Sequence, residues 1–287
     1  MNTVTIVGVG LIGGSFALGL KKNGFTGRIL GVSSERTIAA ARELGVIDEG
    51  LSLEQAVPQA DLVYLAQPIS RILEALPRVA ELAKPSALVT DAGSTKRAIV
   101  ARASEVFGEG HSIFLGGHPM AGKAVRGVQA AEADLLRDAT YVLTPPGAAM
   151  PLDERVGRFG EWLGKLGARV VVMDPAAHDQ LVAFTSHLPQ MAATALASLL
   201  LDELSWPDSW RVAGAGLRDM TRLAGSAYEL WRDIAMTNGD NINRALARYI
   251  QSLEHVRENL RTRALEDEFQ RGGHFVTRLG RAGGGSV

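Results

Sequence analysis

Two short segments crowd proton-bearing and cationic side chains behind apolar runs: Thr90-Asp91-Ala92-Gly93-Ser94-Thr95-Lys96 and Gly116-Gly117-His118-Pro119-Met120-Ala121-Gly122. Each follows a candidate strand, and an open α/β sheet gathers its ligands at the C-terminal ends of its strands. His118, between Gly117 and Pro119, reads as a loop residue rather than a packed core histidine. An imidazole there suits the removal of an alcohol proton during hydride loss. Ser94 has two compatible readings, a hydroxyl facing the crevice and an N-cap for a helix beginning near Thr95. Farther on, Thr185-Ser186-His187-Leu188-Pro189 interrupts a helical pattern, and His187 reads first as an interhelical hydrogen-bonding residue. Arg218 and Arg222, in Gly216-Leu217-Arg218-Asp219-Met220-Thr221-Arg222, could each clamp a carboxylate bidentately. Spacing alone favours a surface pair or an ion pair with Asp219.

A second kind of chemistry is written near the N-terminus. Val4-Thr5-Ile6-Val7 runs directly into Gly8-Val9-Gly10-Leu11-Ile12-Gly13, and a helical pattern follows. In that setting Gly8 permits a tight turn, Gly10 lets the backbone approach a pyrophosphate, and Gly13 lets the helix pack closely on the strand. The phosphates would rest on the free amides where the helix begins, at Leu11 and Ile12. Gln67 and Pro68, after a strand at 62–65, are assigned to the same dinucleotide site. An NAD-preferring site ends its second strand on a carboxylate that binds the ribose hydroxyls. Here that strand runs into Ser33-Ser34-Glu35-Arg36. Ser33 stands at the acidic position, and Ser34 and Arg36 are close enough to receive a 2′-phosphate. NADP is therefore expected over NAD, with Glu35 as the competing ribose ligand.

The elements needed to position these groups are legible in outline. Candidate strands at 4–7, 29–32, 62–65, 87–90, 113–115, 141–143 and 170–173 alternate with helical stretches at 11–22, 37–44, 72–83, 96–106 and 153–166. This is the pattern of an α/β, Rossmann-like, doubly wound parallel sheet over residues 1–174. From 175 to 287 long Ala, Leu, Arg and Glu stretches at helical spacing take over, the expectation being an all-α substrate and dimerisation domain. Helices are expected at 176–185, 190–203, around 211–223, and from 228 through about 269. The last stretch aligns Ile242, Leu246, Tyr249, Ile250, Leu253 and Val256 on one face, which calls for a partner surface such as a second subunit. From about 272 the chain is glycine-rich and expected to fray. The 287 residues carry a formal net charge of -1 and no cysteine. No global field argues for nucleic acid or an anionic membrane, and disulfides, thiolate nucleophiles and cysteine-bound metals are excluded. No export signal or membrane-length apolar run is read, so a cytoplasmic location is expected.

Taken together, GVGLIGGS, DAGSTK, GGHPMAG, SHLP and GLRDMTRLA, in this order and at these separations, resemble the prephenate/arogenate dehydrogenase family of tyrosine biosynthesis. The resemblance implies an NAD(P)-dependent oxidative decarboxylation of a cyclohexadiene acid that needs no metal, and a homodimer formed through the C-terminal helices. It implies that His118 hydrogen-bonds the ring hydroxyl and takes its proton, that Ser94 orients it, and that Arg222 holds a substrate carboxylate. Gly117, His187 and Gln190 are placed with the substrate-binding residues. This chain departs from the pattern at Gln190, where many prephenate-using members have a second histidine after SHLP. It departs again at Lys123-Ala124, where the family often has an acidic residue. The stretches AAEADLL and YVLTP and the GVS ending of the second strand look closest to an arogenate-specific, NADP-preferring branch, whose usual arginine after GVS is Ser34 here. Two other readings are a hydroxyacid dehydrogenase of the related Rossmann-plus-helical group and a dimer that senses NAD(P) without turnover. The first typically uses a lysine base in its helical half, and this chain has no lysine after Lys165.

Overall fold

The protein is described by a computed structural model covering residues 1–108, 112–123, 125–147, 149–204 and 208–282. Strand β1 (Thr3–Val7) leads into α1 (Leu11–Lys22), β2 (Arg28–Val32), α2 (Glu35–Glu43), β3 (Glu49–Gly50), α3 (Leu53–Ala56), β4 (Leu62–Leu65), α4 (Ile69–Leu82), β5 (Leu88–Asp91) and α5 (Arg97–Val106). Then follow β6 (Ile113–Pro119), β7 (Thr140–Thr144), α6 (Glu154–Lys165) and β8 (Arg169–Val172). The strands form one sheet in the order β3-β2-β1-β4-β5-β6-β7-β8. Every pairing is parallel except β6 with β7. The order reverses between β1 and β4, and this topological switch point opens a crevice at the C-terminal strand ends.

The inner strands form because their residues are largely apolar on both faces, as a sheet covered by helices on both sides demands. All four residues of β4 are buried, and Phe16 of α1 stacks on Tyr64 with ring centroids 4.1 Å apart. β3 escaped the sequence reading because two residues carry no periodicity. β6 is longer than expected, since beyond Leu115 it turns from β5 to an antiparallel partner: His118 lies opposite Val142 and Pro119 opposite Tyr141. His118 is therefore a strand residue, not a loop residue.

The helical part begins with α7 (Pro175–Val182), capped by Asp174, whose carboxylate accepts the Ala176 and Ala177 amides at 2.8 and 2.9 Å. It does not break at Thr185. Residues Ala183–His187 form a π-helical stretch that joins α7 to α8 (Leu188–Glu203). Pro189 has no N–H to offer the carbonyl four residues back, and a widened turn relieves that position. After α9 (Ala215–Thr221), α10 (Tyr228–Glu258) contains a non-helical residue, Asn238, at φ -132° and ψ 20°. A turn then leads to α11 (Ala264–Ala282). The single helix expected from 228 to 269 is thus two helices. The glycine-rich tail expected to fray from 272 is helical as far as Ala282, because the helical face of α11 continues past Gly272-Gly273; residues 283–287 lie outside the described residues.

The change to helical character falls at 174/175, whereas packing density divides the chain into Met1–Gly239 and Asp240–Val287. The first unit contains the sheet together with α7, α8 and α9. The second contains the later part of α10 and α11. No helix among the described residues is long and apolar enough to cross a membrane.

Candidate active site

The glycine turn has the geometry that a dinucleotide requires. Gly8 adopts φ +97°, and a side chain there would sit 2.6 Å from the Ala66 carbonyl oxygen. A Cβ on Gly13 would collide with the Gly8 carbonyl and lie 2.7 Å from Ile6 Cγ2, so only glycine lets α1 approach β1 this closely. Nothing lies within 4 Å of a Cβ built on Gly10, which leaves that backbone open to a ligand. A crevice of about 360 Å³ runs from Leu11 and Ile12 past Gln67 and Pro68 to Gly93 and Ser94. In its wall Gln67 Oε1 is buried with no hydrogen-bond partner among the described residues. An orphaned acceptor, an unobstructed glycine and the start of a helix at one place fit a dinucleotide. At the end of β2, Ser33, Ser34 and Arg36 are exposed. The Ser34 hydroxyl serves as the N-cap of α2, at 3.4 Å from the Thr37 amide.

A second cavity, about 310 Å³, adjoins the first. Ser94, His118, His187, Trp231 and Ile234 line it, and it shares Ser94, Ala121, Gly122 and Leu230 with the crevice. His118 keeps an accessible edge here. Its Nδ1 lies 2.9 Å from His178 Nε2, and His178 Nδ1 lies 2.8 Å from Asp179 Oδ1. Asp179 also accepts the backbone amides of Lys96 (2.7 Å) and Arg97 (2.9 Å), so a carboxylate from α7 caps the start of α5. Ser94 is consequently not the N-cap expected for this helix; its half-buried hydroxyl stands where the two cavities meet. His187, at the end of the π-helical stretch, has Nδ1 3.2 Å from Asn238 Nδ2, and Trp231 stands edge-on to its ring at 5.8 Å. His187 therefore makes the interhelical hydrogen bond expected of it while also lining the cavity. Trp231 Nε1 is buried with no partner among the described residues, a donor that the sequence reading missed.

Behind His118 lies a buried ion pair between Lys96 and Asp91, both fully excluded from solvent. Lys96 Nζ also donates to the Gly117 carbonyl (2.7 Å), while Asp91 accepts the Gly117 amide (3.1 Å) and the Gly93 amide (2.8 Å). The pair thus clamps both backbone groups of the residue before His118. Burial first, then the repulsion that a proton on His178, the Lys96 ammonium or a proton on His187 would exert, holds the His118 pKa well below the ordinary imidazole range. Burial likewise pushes His187 down to about 4, although Asp179 opposes the shift. Both pocket histidines are neutral near pH 7, and a neutral imidazole can accept a proton.

Ser94, His118 and His187, far apart in sequence, are thus brought to one cavity. Other expected substrate residues lie elsewhere. Gly117 is buried behind His118, where a Cβ would meet the Asp91 carbonyl oxygen at 2.6 Å. Gln190 is buried outside the cavity lining; its Nε2 donates to Thr194 Oγ1 (3.1 Å) and the Leu223 carbonyl (2.9 Å), tying α8 to the turn that carries Arg222. Arg222 and Arg218 are exposed and outside the lining as well. His178 and Asp179 were not singled out from sequence. Their only local signal is an adjacent His-Asp pair one turn past the Asp174-Pro175 helix start.

A doubly wound sheet with a glycine turn at its switch point, and a histidine cavity sharing a wall with it, define an NAD(P)-dependent oxidoreductase. Residues 16–172 match the family model described as prephenate dehydrogenase, nucleotide-binding domain, and residues 174–272 match that of the prephenate dehydrogenase dimerization domain. The chain belongs to the prephenate dehydrogenase family, NAD(P)-dependent enzymes of oxidative decarboxylation in tyrosine biosynthesis. It is 34% identical over 277 residues to the prephenate dehydrogenase of Lactococcus lactis subsp. cremoris, covering 95% of this chain and 76% of that one. Among solved structures, prephenate dehydrogenase from A. aeolicus in complex with hydroxyphenyl propionate and NAD+ is 32% identical with a TM-score of 0.83, covering 97% of this chain and 96% of that one. Synechocystis arogenate dehydrogenase is likewise 32% identical, with a TM-score of 0.81, covering 96% of this chain and 99% of that one.

Proposed function

We propose that this chain oxidatively decarboxylates arogenate, with prephenate as the alternative acid, and that it favours NADP over NAD. The observation that carries the reading is the shared wall: an acid in the His118 cavity would lie beside a nicotinamide in the crevice, across Ser94. The bound nicotinamide supplies the hydride acceptor. His118 takes the proton of the ring hydroxyl as the hydride departs, and Ser94 holds the same hydroxyl in line. His187 and Trp231 present polar edges to the rest of the acid. Arg222 holds a substrate carboxylate, an assignment that leans on the family motif rather than on the cavity. Loss of carbon dioxide then makes the ring aromatic, which drives the step. Likeness to the Synechocystis arogenate dehydrogenase supports one acid and likeness to the prephenate dehydrogenases the other. The two acids differ at a single side-chain carbon, bearing an ammonium in one and a ketone in the other.

For the cofactor, Ser33 and Arg36 stand exposed at the end of β2 with no carboxylate at the acidic position, which supports a 2′-phosphate. The reading includes a cytoplasmic homodimer through the C-terminal helices. On α11, Phe269, Phe275 and Leu279 are 76%, 66% and 61% exposed, and a second copy would cover them. Light scattering should give about twice the 30.5 kDa of one chain. The deciding assay is a grid of arogenate or prephenate against NADP or NAD, followed by absorbance of the reduced cofactor. Turnover is expected to be fastest with arogenate and NADP, and no reduction in any combination would overturn the reading.

A further inference from the structure

Asp179 touches neither cavity, yet both histidines of the His118 cavity are tied to it. Its carboxylate is fully buried and accepts two backbone amides at the start of α5, groups that can only donate. The positive end of that helix favours a negative charge at this point. The ionised carboxylate can only accept, so His178 Nδ1, 2.8 Å away, carries the hydrogen between them. Where Nδ1 carries the one hydrogen of His178, its Nε2 is bare, and His118 Nδ1, 2.9 Å from it, becomes the donor. The remaining nitrogen of His118, Nε2, is left unprotonated.

A second path starts from the same residue. The Asp179 backbone carbonyl accepts Asn238 Nδ2 at 2.8 Å, and an acceptor there forbids the flipped amide. The same Nδ2 faces His187 Nδ1 at 3.2 Å, which makes Nδ1 the acceptor and puts the hydrogen of His187 on Nε2. The non-helical backbone at Asn238, inside α10, is the local departure that brings this amide to both partners.

We propose that Asp179 is a positioning residue for both pocket histidines: through His178 it commits His118 to present a bare Nε2, and through Asn238 it commits His187 to present an Nε2–H. One cavity thereby receives a proton acceptor and a hydrogen-bond donor of fixed identity. The acceptor suits the hydroxyl proton that leaves with the hydride. The donor suits a carbonyl or carboxylate oxygen of the same acid. When the substrate proton arrives at His118 Nε2, the Nδ1–H bond to His178 supports the new imidazolium, and no proton need travel on to Asp179. The value of this arrangement to turnover rests on the reading of His118 as the base, whereas the tautomers do not.

The test is therefore read first by spectroscopy. In ¹⁵N-histidine-labelled full-length protein loaded with NADP, long-range ¹H–¹⁵N spectra should show His118 and His178 protonated at Nδ1 and His187 at Nε2. An Nε2–H on His118, a doubly protonated His178 or an Nδ1–H on His187 would overturn the proposal, even if His118→Asn abolished turnover. The converse result, the expected tautomers with full turnover in His118→Asn, would remove the base assignment and leave the tautomer control standing. Among variants, His178→Gln keeps an acceptor for His118 Nδ1 and His178→Leu does not. His178→Leu should lower kcat about tenfold to a hundredfold, the scale seen when a partner that orients a histidine is lost. KM and NADP affinity should stay within about twofold, and His178→Gln should recover most of the kcat. Equal activity of the two variants would sink the carboxylate path. Asn238→Leu should give a mixture of His187 tautomers, and an unchanged Nε2–H population would sink the carbonyl path.

Discussion

Replacing Lys96 by methionine tests the clamp behind His118. Methionine matches the length of the lysine stem but leaves Asp91 as a buried carboxylate with two backbone donors, the Gly93 and Gly117 amides, and takes the Nζ donor from the Gly117 carbonyl. Removing one partner of a buried pair costs about 3–5 kcal/mol. The two surviving amides put this case near the lower end, about 3 kcal/mol. Converting Asp91 to asparagine as well removes the stranded charge, so the double variant should recover about 2 kcal/mol of that loss. Urea unfolding of the wild type, both single variants and the double variant closes the cycle. A second readout is kinetic. Lys96 is one of the charges that hold His118 below the ordinary imidazole range. Without it His118 becomes more basic and is protonated at higher pH, so the acid limb of kcat/KM should move upward. Additivity within about 0.5 kcal/mol, or an acid limb that stays put, would refute the account of this pair.

Further consequences follow from the same geometry. His187 is held at about 4, below the ordinary 6.5, so the unfolded chain takes up a proton that the folded chain refuses. Its contribution to stability is present above pH 6.5 and is lost as pH falls, by about 3 kcal/mol on reaching pH 4. His187→Gln should flatten that part of a pH series of thermal melts. His118→Asn should lower kcat by about 10²–10⁴-fold with little change in KM, and undiminished turnover would dismiss it as the base. Ser33→Asp should shift preference toward NAD, measured as the ratio of kcat/KM for the two cofactors; an unaltered ratio would mean that the 2′-phosphate lies elsewhere. Arg222→Ala should raise KM for the acid about tenfold or more, and an unchanged KM would pass the role to Arg218.

What could be read from the chain alone was whatever is encoded locally. The glycine turn was legible because its demands are local, a positive φ at Gly8 and the approach of Gly13 to Gly8 and Ile6, and seven strands showed as apolar runs. The motifs around Ser94, His118 and His187 were legible as short polar interruptions of those runs. What no local pattern carried was decided by contacts across long separations. Antiparallel pairing with β7 draws His118 out of the expected loop and into β6. Asp179, 83 residues from Lys96, takes the capping role expected of Ser94, because a carboxylate fits the free amides of α5 when α7 packs there. Gln190 and Gly117 leave the cavity wall because packing spends the Gln190 amide on the Leu223 carbonyl and the Gly117 backbone groups on the Asp91 and Lys96 side chains. The break between α10 and α11 escaped notice because helical spacing runs through it. Sequence determined which side chains are available for chemistry. Only the tertiary structure decided which nitrogen of each histidine faces the cavity, since tautomers are set by partners that the fold brings from distant helices.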